Sequence, residues 1–239
     1  MQPDPSRLLA VLGLKTPPLG FYDAPDPAPF APLVEPKPGE RICMFAFYPE
    51  WLRGRSLHLT KDSYGCGGAG SCLLSVEARS REQMIHFLLE EEGLKRSREV
   101  MSRWVDGRRK YRPQFDHLFI GPLRPAQYEY LRTVTFYVNP DQLSALIVGA
   151  HYDSGPDDPP PVQAPFGSGC SQLLPAFDDL ALPRAAIGAT DAAMRKHLPP
   201  DTLSFTVTKP MFRQLCELDE RSFLYKSFWT DLKKARARA

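Results

Sequence analysis

Long apolar segments and a large net charge are both missing from this sequence. No run approaches the roughly 18 consecutive apolar residues that cross a bilayer, and the amino terminus lacks the basic start and apolar core of a secretory signal. The 30 lysines and arginines nearly balance the 28 aspartates and glutamates, so the broad positive field that nucleic acid needs is absent. The sequence therefore predicts a cytoplasmic protein without a nucleic-acid or membrane partner. Other partners and oligomerisation are left open.

Cysteine is also scarce, whereas proline is abundant. Five cysteines are too few, and odd in number, for a disulfide framework, and a reducing compartment would keep them as thiols or metal ligands. The 25 prolines and 16 glycines together stay below the roughly 25–30% that marks low-complexity chains. We therefore expect a globular protein with long, ordered loops.

The hydrophobic pattern predicts an α+β fold, in which a mixed sheet packs with helices. One buried strand is expected over 41–48, and apolar positions at helical spacing predict a long helix over 80–109 with a kink or break at Gly93. Three apolar runs end at a proline and lead into a helical pattern, which predicts repeated strand-to-helix units. They lie at 116–122, 133–140 and 203–210. Asn139 and Thr208 are expected to accept hydrogen bonds from the free amides of the helices that follow them.

Two internal similarities suggest pseudo-symmetry within a single domain, 1–239. Leu12–Ala24 aligns without gaps to Leu180–Ala192. Glycine and cysteine also occur together in a first cysteine segment, Tyr64–Leu74, and in a second cysteine segment, Phe166–Leu174. The two similarities occur in opposite order in the two parts of the chain, so a simple tandem duplication does not account for both. The corresponding halves would be 1–115 and 116–239.

The two cysteine segments are the candidate site, and both are predicted to be glycine-rich loops. Their glycines allow close backbone approach and let amides converge on an anion or hold a sulfur near a cofactor. The predicted cofactor-binding residues are Gly67, Gly68, Gly167, Ser168, Gly169 and Ser171, and the predicted metal ligands are Cys66, Cys72 and Cys170. Three thiolates would suit an iron–sulfur cluster with one open iron, or another metal, if the fold brings the segments together.

Alternatives to this metal or cofactor site remain open, and whether the protein is an enzyme is undecided. If a helix begins after Gly169, its positive end would favour a thiolate at Cys170, which would then act as a nucleophile, although the sequence offers no partner base. The segments could instead be purely structural in an interaction protein, with cysteine as a small apolar residue. Cys43 and Cys216 lie in apolar patterns typical of the core.

Several motifs in a fixed order resemble a known family. They are Leu12–Leu19, Cys66–Ala69, Asn139–Gln142, Gly167–Ser171 and Leu198–Phe205. On these motifs the chain resembles the uncharacterised prokaryotic family called domain of unknown function 169, over almost its whole length. The resemblance singles out Cys66 and Cys170 but not Cys72, and it implies no settled activity.

Overall fold

A single eight-stranded sheet organises the protein in the computed structural model, which describes residues 3–238. The strand order across the sheet is β2-β3-β4-β1-β5-β8-β7-β6. The strands are β1 (Leu19–Ala24), β2 (Leu33–Val34), β3 (Ser56–Leu59), β4 (His117–Pro122), β5 (Leu131–Val138), β6 (Val162–Gln163), β7 (Ala185–Gly188) and β8 (Leu203–Thr208). Together with the helices, this mixed sheet confirms the predicted α+β class.

The strand order reads the same from both edges of the sheet. From one edge to the centre it runs β2, β3, β4, β1, and from the other edge it runs β6, β7, β8, β5. The outermost pair is parallel on each side, and the remaining pairs are antiparallel. The division into 1–115 and 116–239 stays a prediction. The sheet favours a boundary between Pro122 and Leu131, because β4 belongs with β1 to β3.

Helices cover both faces of the sheet. They are α1 (Ser6–Leu12), α2 (Tyr48–Leu52), α3 (Gly67–Leu73), α4 (Arg81–His86), α5 (Arg98–Gly107), α6 (Pro140–Ala150), α7 (Ala192–Arg195), α8 (Lys209–Cys216) and α9 (Ser227–Arg236). Short 3-10 turns lie between them, including Met44–Phe47 and Gly169–Gln172. No helix among residues 3–238 has the length and apolar character needed to cross a membrane.

One face of the sheet carries a core without any cysteine segment. Phe136 of β5 packs in this core with Leu146 of α6, Phe212 of α8 and Trp229 of α9, all nearly inaccessible to solvent. Successive β-strand residues point to opposite faces, so alternate residues of β5 supply this core. The indole of Trp229 also donates a hydrogen bond of 2.8 Å to the carbonyl of Val11, which ties α9 to the end of α1.

The opposite face carries the second core and both cysteine segments. Phe45, Trp51, Leu73 and Tyr137 are buried here together with Cys170. The aromatic rings of Trp51 and Tyr137 stack with their centroids 6.2 Å apart. The candidate site is therefore built on a packed aromatic layer.

The predicted strand over 41–48 is wrong. Met44–Phe47 forms a 3-10 turn and Tyr48 begins α2. Short apolar runs do not distinguish a strand from a buried helical segment. Pro49 stands within the first two positions of α2, where a missing N–H costs nothing, so it starts a helix rather than ending a strand.

The other element predictions met different outcomes. The helical pattern over 80–109 does break near Gly93, which has a positive φ of 64°. Before the break, α4 continues as a π-helical turn at Phe87–Glu91, and after it α5 begins at Arg98. The runs at 133–140 and 203–210 do lead from strand to helix. The run at 116–122 leads instead through a short 3-10 turn, Pro125–Gln127, into β5.

The similarity between Leu12–Ala24 and Leu180–Ala192 does not follow the symmetry of the sheet. Its glycines, Gly20 and Gly188, lie in β1 and β7. In the sheet β1 corresponds to β5, and β7 corresponds to β3. The aligned segments are therefore not equivalent strands of the two halves.

Candidate functional site

The two cysteine segments, far apart in the sequence, meet on one face of the sheet. Cys66 immediately precedes α3, and Cys170 lies in the 3-10 turn Gly169–Gln172. The side chains of Cys170 and Cys66 face each other here and shift each other's pKa in opposite directions. A Cβ atom built on Gly68 would lie 3.6 Å from the Cys66 sulfur and 3.8 Å from the Ser168 hydroxyl, so this glycine sits where the two segments touch.

The surroundings of Cys66 favour its thiolate. The hydrogen bond from Cys170 is the largest influence, and the backbone amides of Ala69 and Gly68 add to it. Burial opposes these effects, but the hydrogen bonds prevail and lower the pKa of Cys66 to about 6. Near neutral pH, Cys66 is therefore mainly a thiolate, the form of cysteine that acts as nucleophile and metal ligand.

Cys170 is the protonated partner of this pair. Its thiol is 3% exposed, and its sulfur lies 3.3 Å from the sulfur of Met44. The hydrogen bond to Cys66 and burial both raise the pKa of Cys170 well above its usual value. Gly169 begins a 3-10 turn rather than an α-helix. Because no helix end favours a thiolate at Cys170 and its pKa is raised, the expectation of a thiolate there is corrected.

Cys72 lies nearby but is not joined to the other two cysteines by a hydrogen bond. Its sulfur is 3.8 Å from the hydroxyl of Ser168, and burial raises its pKa. Within residues 3–238, no three His, Cys, Asp or Glu side chains form a group that could hold a metal ion. The predicted metal centre of Cys66, Cys72 and Cys170 therefore gains no support from the geometry.

The first cysteine segment is a helix rather than the predicted loop. Gly67, Gly68 and Gly70 all lie in α3, although glycine is a poor helix former. Tight packing explains this exception, since a Cβ atom on Gly70 would lie 2.7 Å from the ring of Tyr64. The glycines thus allow α3 to approach its neighbours closely.

Hydrogen bonds and close contacts fix the shape of the second segment. Gly167 has a φ of 144°, and a Cβ atom there would lie 2.4 Å from the Ser171 hydroxyl. The Gly169 amide donates to the carboxylate of Asp191 at 3.1 Å, and the Ser171 hydroxyl donates to the carbonyl of Ser168 at 2.7 Å. These contacts hold Cys170 in place against Cys66.

Two neighbouring cavities border the paired segments, and we call them together the cleft. The thiolate cavity, about 910 Å³, is lined by Cys66 and Cys170. The aromatic cavity, about 600 Å³, is lined by Trp104. Both cavities share the lining residues Gly67, Gly68, Arg79, Glu92, Ser168, Asp191 and Ala193. The segments thus separate two spaces, each within the range of small-molecule sites.

Cys43 is the residue of this site that sequence reasoning missed. It is half-buried, lines the thiolate cavity, and has a pKa raised by burial and by the charge of Cys66. Its assignment to a core strand depended on the wrong strand at 41–48. The proline at the start of α2 was the available signal, since it places Cys43 in a connection rather than a strand.

Comparison with known families supports the resemblance carried by these motifs. The family model DUF169, described as uncharacterised ArCR, matches residues 7–217. The chain belongs to this family. No curated protein and no solved structure matches the chain.

The DUF169 match includes both cysteine segments, so the paired thiols lie inside the region that defines membership. The description of DUF169 specifies no reaction or ligand.

Proposed function

We propose that the protein binds a small-molecule ligand or cofactor in the cleft, with the Cys66 thiolate in contact with it. The observation that carries this proposal is the placement of Cys66 beside Cys170 at the wall of the thiolate cavity, where its surroundings lower its pKa. A partly buried thiolate does not improve packing. It is the form of cysteine that bonds to a ligand, so its stabilisation here favours a binding role for Cys66.

The predicted cofactor-binding residues have two different roles in this proposal. Gly67, Gly68 and Ser168 line both cavities and would lie against the ligand. Gly169 is already occupied by a hydrogen bond to Asp191, and the Ser171 hydroxyl by one to the Ser168 carbonyl. Gly169 and Ser171, like the left-handed Gly167, would therefore shape the segment rather than grip the ligand.

If the ligand is a substrate, Cys66 is the better nucleophile than Cys170. Cys66 is the deprotonated partner of the pair, whereas Cys170 is 3% exposed and retains its proton. The Cys170 thiol would support the attacking thiolate as a hydrogen-bond donor. The protein would then be a thiol-dependent enzyme, with its reaction class set by the ligand.

Metal binding is the second candidate, and the contact with Met44 favours it. The sulfur of Met44 lies 3.3 Å from that of Cys170, which in turn contacts Cys66. Two thiols and a thioether are soft ligands that suit Cu(I). An iron–sulfur cluster with Cys72 as third thiolate stays a prediction, as does the cytoplasmic location that would keep these thiols reduced.

The proposal is tested by the rate at which iodoacetamide modifies each cysteine between pH 5 and 9, followed by mass spectrometry of peptides. We expect Cys66 to react first and to reach half of its maximal rate near pH 6, whereas an ordinary cysteine does so near about pH 8.5. Cys66→Ser should abolish this fast reaction, and the matched variant Cys72→Ser should leave it unchanged. A Cys66 that titrates like an ordinary thiol would contradict the proposal.

Metal binding is separated from ligand binding by purifying the protein without oxygen and measuring iron, sulfide and copper. In the metal alternative, Cys66 is unreactive in the purified protein and becomes reactive only after chelation. In the purely structural alternative, both Cys170→Ser and Cys170→Ala change stability alone, and the alanine variant leaves the pH dependence of every accessible thiol unchanged.

A further inference from the structure

One buried cation beside the aromatic cavity has no hydrogen-bond partner. Arg108, directly after α5, has a side chain that is only 14% exposed. Its guanidinium forms no hydrogen bond with any residue in 3–238, and its Nε atom is fully buried without a partner. A buried donor left unpaired costs free energy, so an arginine in this position calls for an acceptor.

The nearby acidic side chain does not meet this need. Glu77 approaches Arg108 at 3.6 Å, beyond hydrogen-bond distance. The same carboxylate is hydrogen-bonded by Lys110 and lies 3.4 Å from the hydroxyl of Ser71. Glu77 therefore forms an ion pair with Arg108 but directs its hydrogen bonds to Lys110 and Ser71, which leaves the N–H donors of Arg108 without a hydrogen-bond acceptor.

The other arginines of the aromatic cavity make different contacts. The guanidinium of Arg79 lies over the ring of Phe87, 4.0 Å from the centroid. Arg109 donates to the carbonyl of Ala176 at 3.2 Å and lies 3.6 Å from Asp178. Arg108 differs from both because its side chain is only 14% exposed and its Nε atom is buried without a hydrogen-bond acceptor.

Apolar surface faces the same space. Trp104 and Phe166 meet edge to face with centroids 5.2 Å apart, and both line the aromatic cavity with Leu88 and Leu94. Phe166 and Leu94 are 45% and 40% exposed, which is high for large apolar side chains at a cavity. A ligand with an apolar body would cover this surface.

We infer that the aromatic cavity binds a small apolar carboxylate, with its carboxylate on Arg108 and its body against Trp104 and Phe166. The planar guanidinium matches the two oxygens of a carboxylate. A phosphate, with its greater charge, would call for more than one available cation. This inference names the ligand class of the cleft and rests on the proposed function.

Titration calorimetry with 4-phenylbutanoate, 4-phenylbutan-1-ol and phenyl phosphate tests this inference on the full chain. The acid should bind at least about tenfold more tightly than the alcohol, because a charged hydrogen bond distinguishes them. Phenyl phosphate should bind more weakly than the acid. Arg108→Gln should weaken the acid about tenfold and leave the alcohol unchanged. The matched variant Arg109→Gln, in the same cavity, should change neither by more than about threefold.

Three outcomes would overturn the inference: no binding of the acid at millimolar concentration, equal binding of acid and alcohol, or unchanged affinity in a folded Arg108→Gln protein. If that variant fails to fold by circular dichroism, the comparison of acid with alcohol on the unaltered protein still decides. If Cys66 reaches half of its maximal rate near pH 6 but the acid does not bind, only this inference is rejected. If the acid binds but Cys66 titrates like an ordinary thiol, only the role of the thiolate is rejected.

Discussion

At the scale of single residues, two neighbouring cysteines with opposite pKa shifts define the candidate site. Cys66 and Cys170 are chemically identical, yet the pKa of Cys66 falls to about 6 and that of Cys170 rises well above its usual value. The difference arises because Cys66 also receives backbone amide hydrogen bonds, whereas Cys170 is enclosed by apolar groups such as Met44. Environment rather than residue type assigns the two roles.

Replacing the hydrogen-bond donor should therefore change the titration of Cys66. The Cys170→Ala variant loses the largest influence that lowers the pKa of Cys66. The pH at which Cys66 reaches half of its maximal rate with iodoacetamide should therefore move from about 6 towards about 8.5. Cys170→Ser keeps a donor and should retain most of the low pKa. An identical pH profile in the alanine and serine variants would show that Cys170 does not stabilise the thiolate.

At the scale of elements, short segments with local hydrogen bonds formed as their sequence indicates. Asn139 caps α6 as expected: its side chain accepts from the amide of Gln142 at 2.9 Å, and the Gln142 side chain accepts from the amide of Asn139 at 3.0 Å. Thr208 does not cap α8 in this way. Its hydroxyl donates to the carbonyl of Leu182 at 2.7 Å, because β8 packs beside that chain.

The cap of α6 should contribute measurably to stability. Asn139→Ala should lower the free energy of unfolding by about 1 kcal/mol, because a helix amide loses its partner. Urea unfolding followed by circular dichroism measures this. The matched control is Ser144→Ala, an exposed position in the middle of α6, which should change stability by less than about 0.5 kcal/mol. Equal effects of the two variants would contradict a capping role for Asn139.

At the scale of the whole molecule, one sheet joins both halves through β1 and β5. The register pairs Leu19 with Thr135 and Gly20 with Val134. Phe21 and Tyr137 contribute to one core, and Tyr22 and Phe136 to the other. Each core therefore includes strands of both halves, so neither half can lose its structure without exposing the other.

We expect a single cooperative unfolding transition, which tests the prediction of one domain over 1–239. Each half is followed by the fluorescence of a single tryptophan. The double variant Trp104→Phe/Trp229→Phe keeps only Trp51, in the first half. The double variant Trp51→Phe/Trp104→Phe keeps only Trp229, in the second half. Adding Asn139→Ala should lower the urea midpoint by the same amount at both probes. A shift at Trp229 without one at Trp51 would mean that the halves unfold independently.

Sequence reasoning failed where tertiary packing overrides local preference. The glycines of α3 predicted a loop, but the close approach of Tyr64 to Gly70 favours a helix without side chains on that face. The run over 41–48 predicted a strand because an apolar stretch carries no period of its own. Arg108 gave no sequence signal at all, since its lack of a hydrogen-bond acceptor depends on how Lys110 and Glu77 are placed in the fold.

The sequence alone determined the α+β class, the capped start of α6 and the family, because strand patterns, helix caps and short motifs are read from neighbouring residues. Only the tertiary structure decided that Cys66 meets Cys170, that Cys66 holds the negative charge, and that Cys43 lines the thiolate cavity. The physical reason is that a pKa and a cavity depend on groups brought together from distant parts of the chain. No local pattern encodes which of those groups will donate a hydrogen bond.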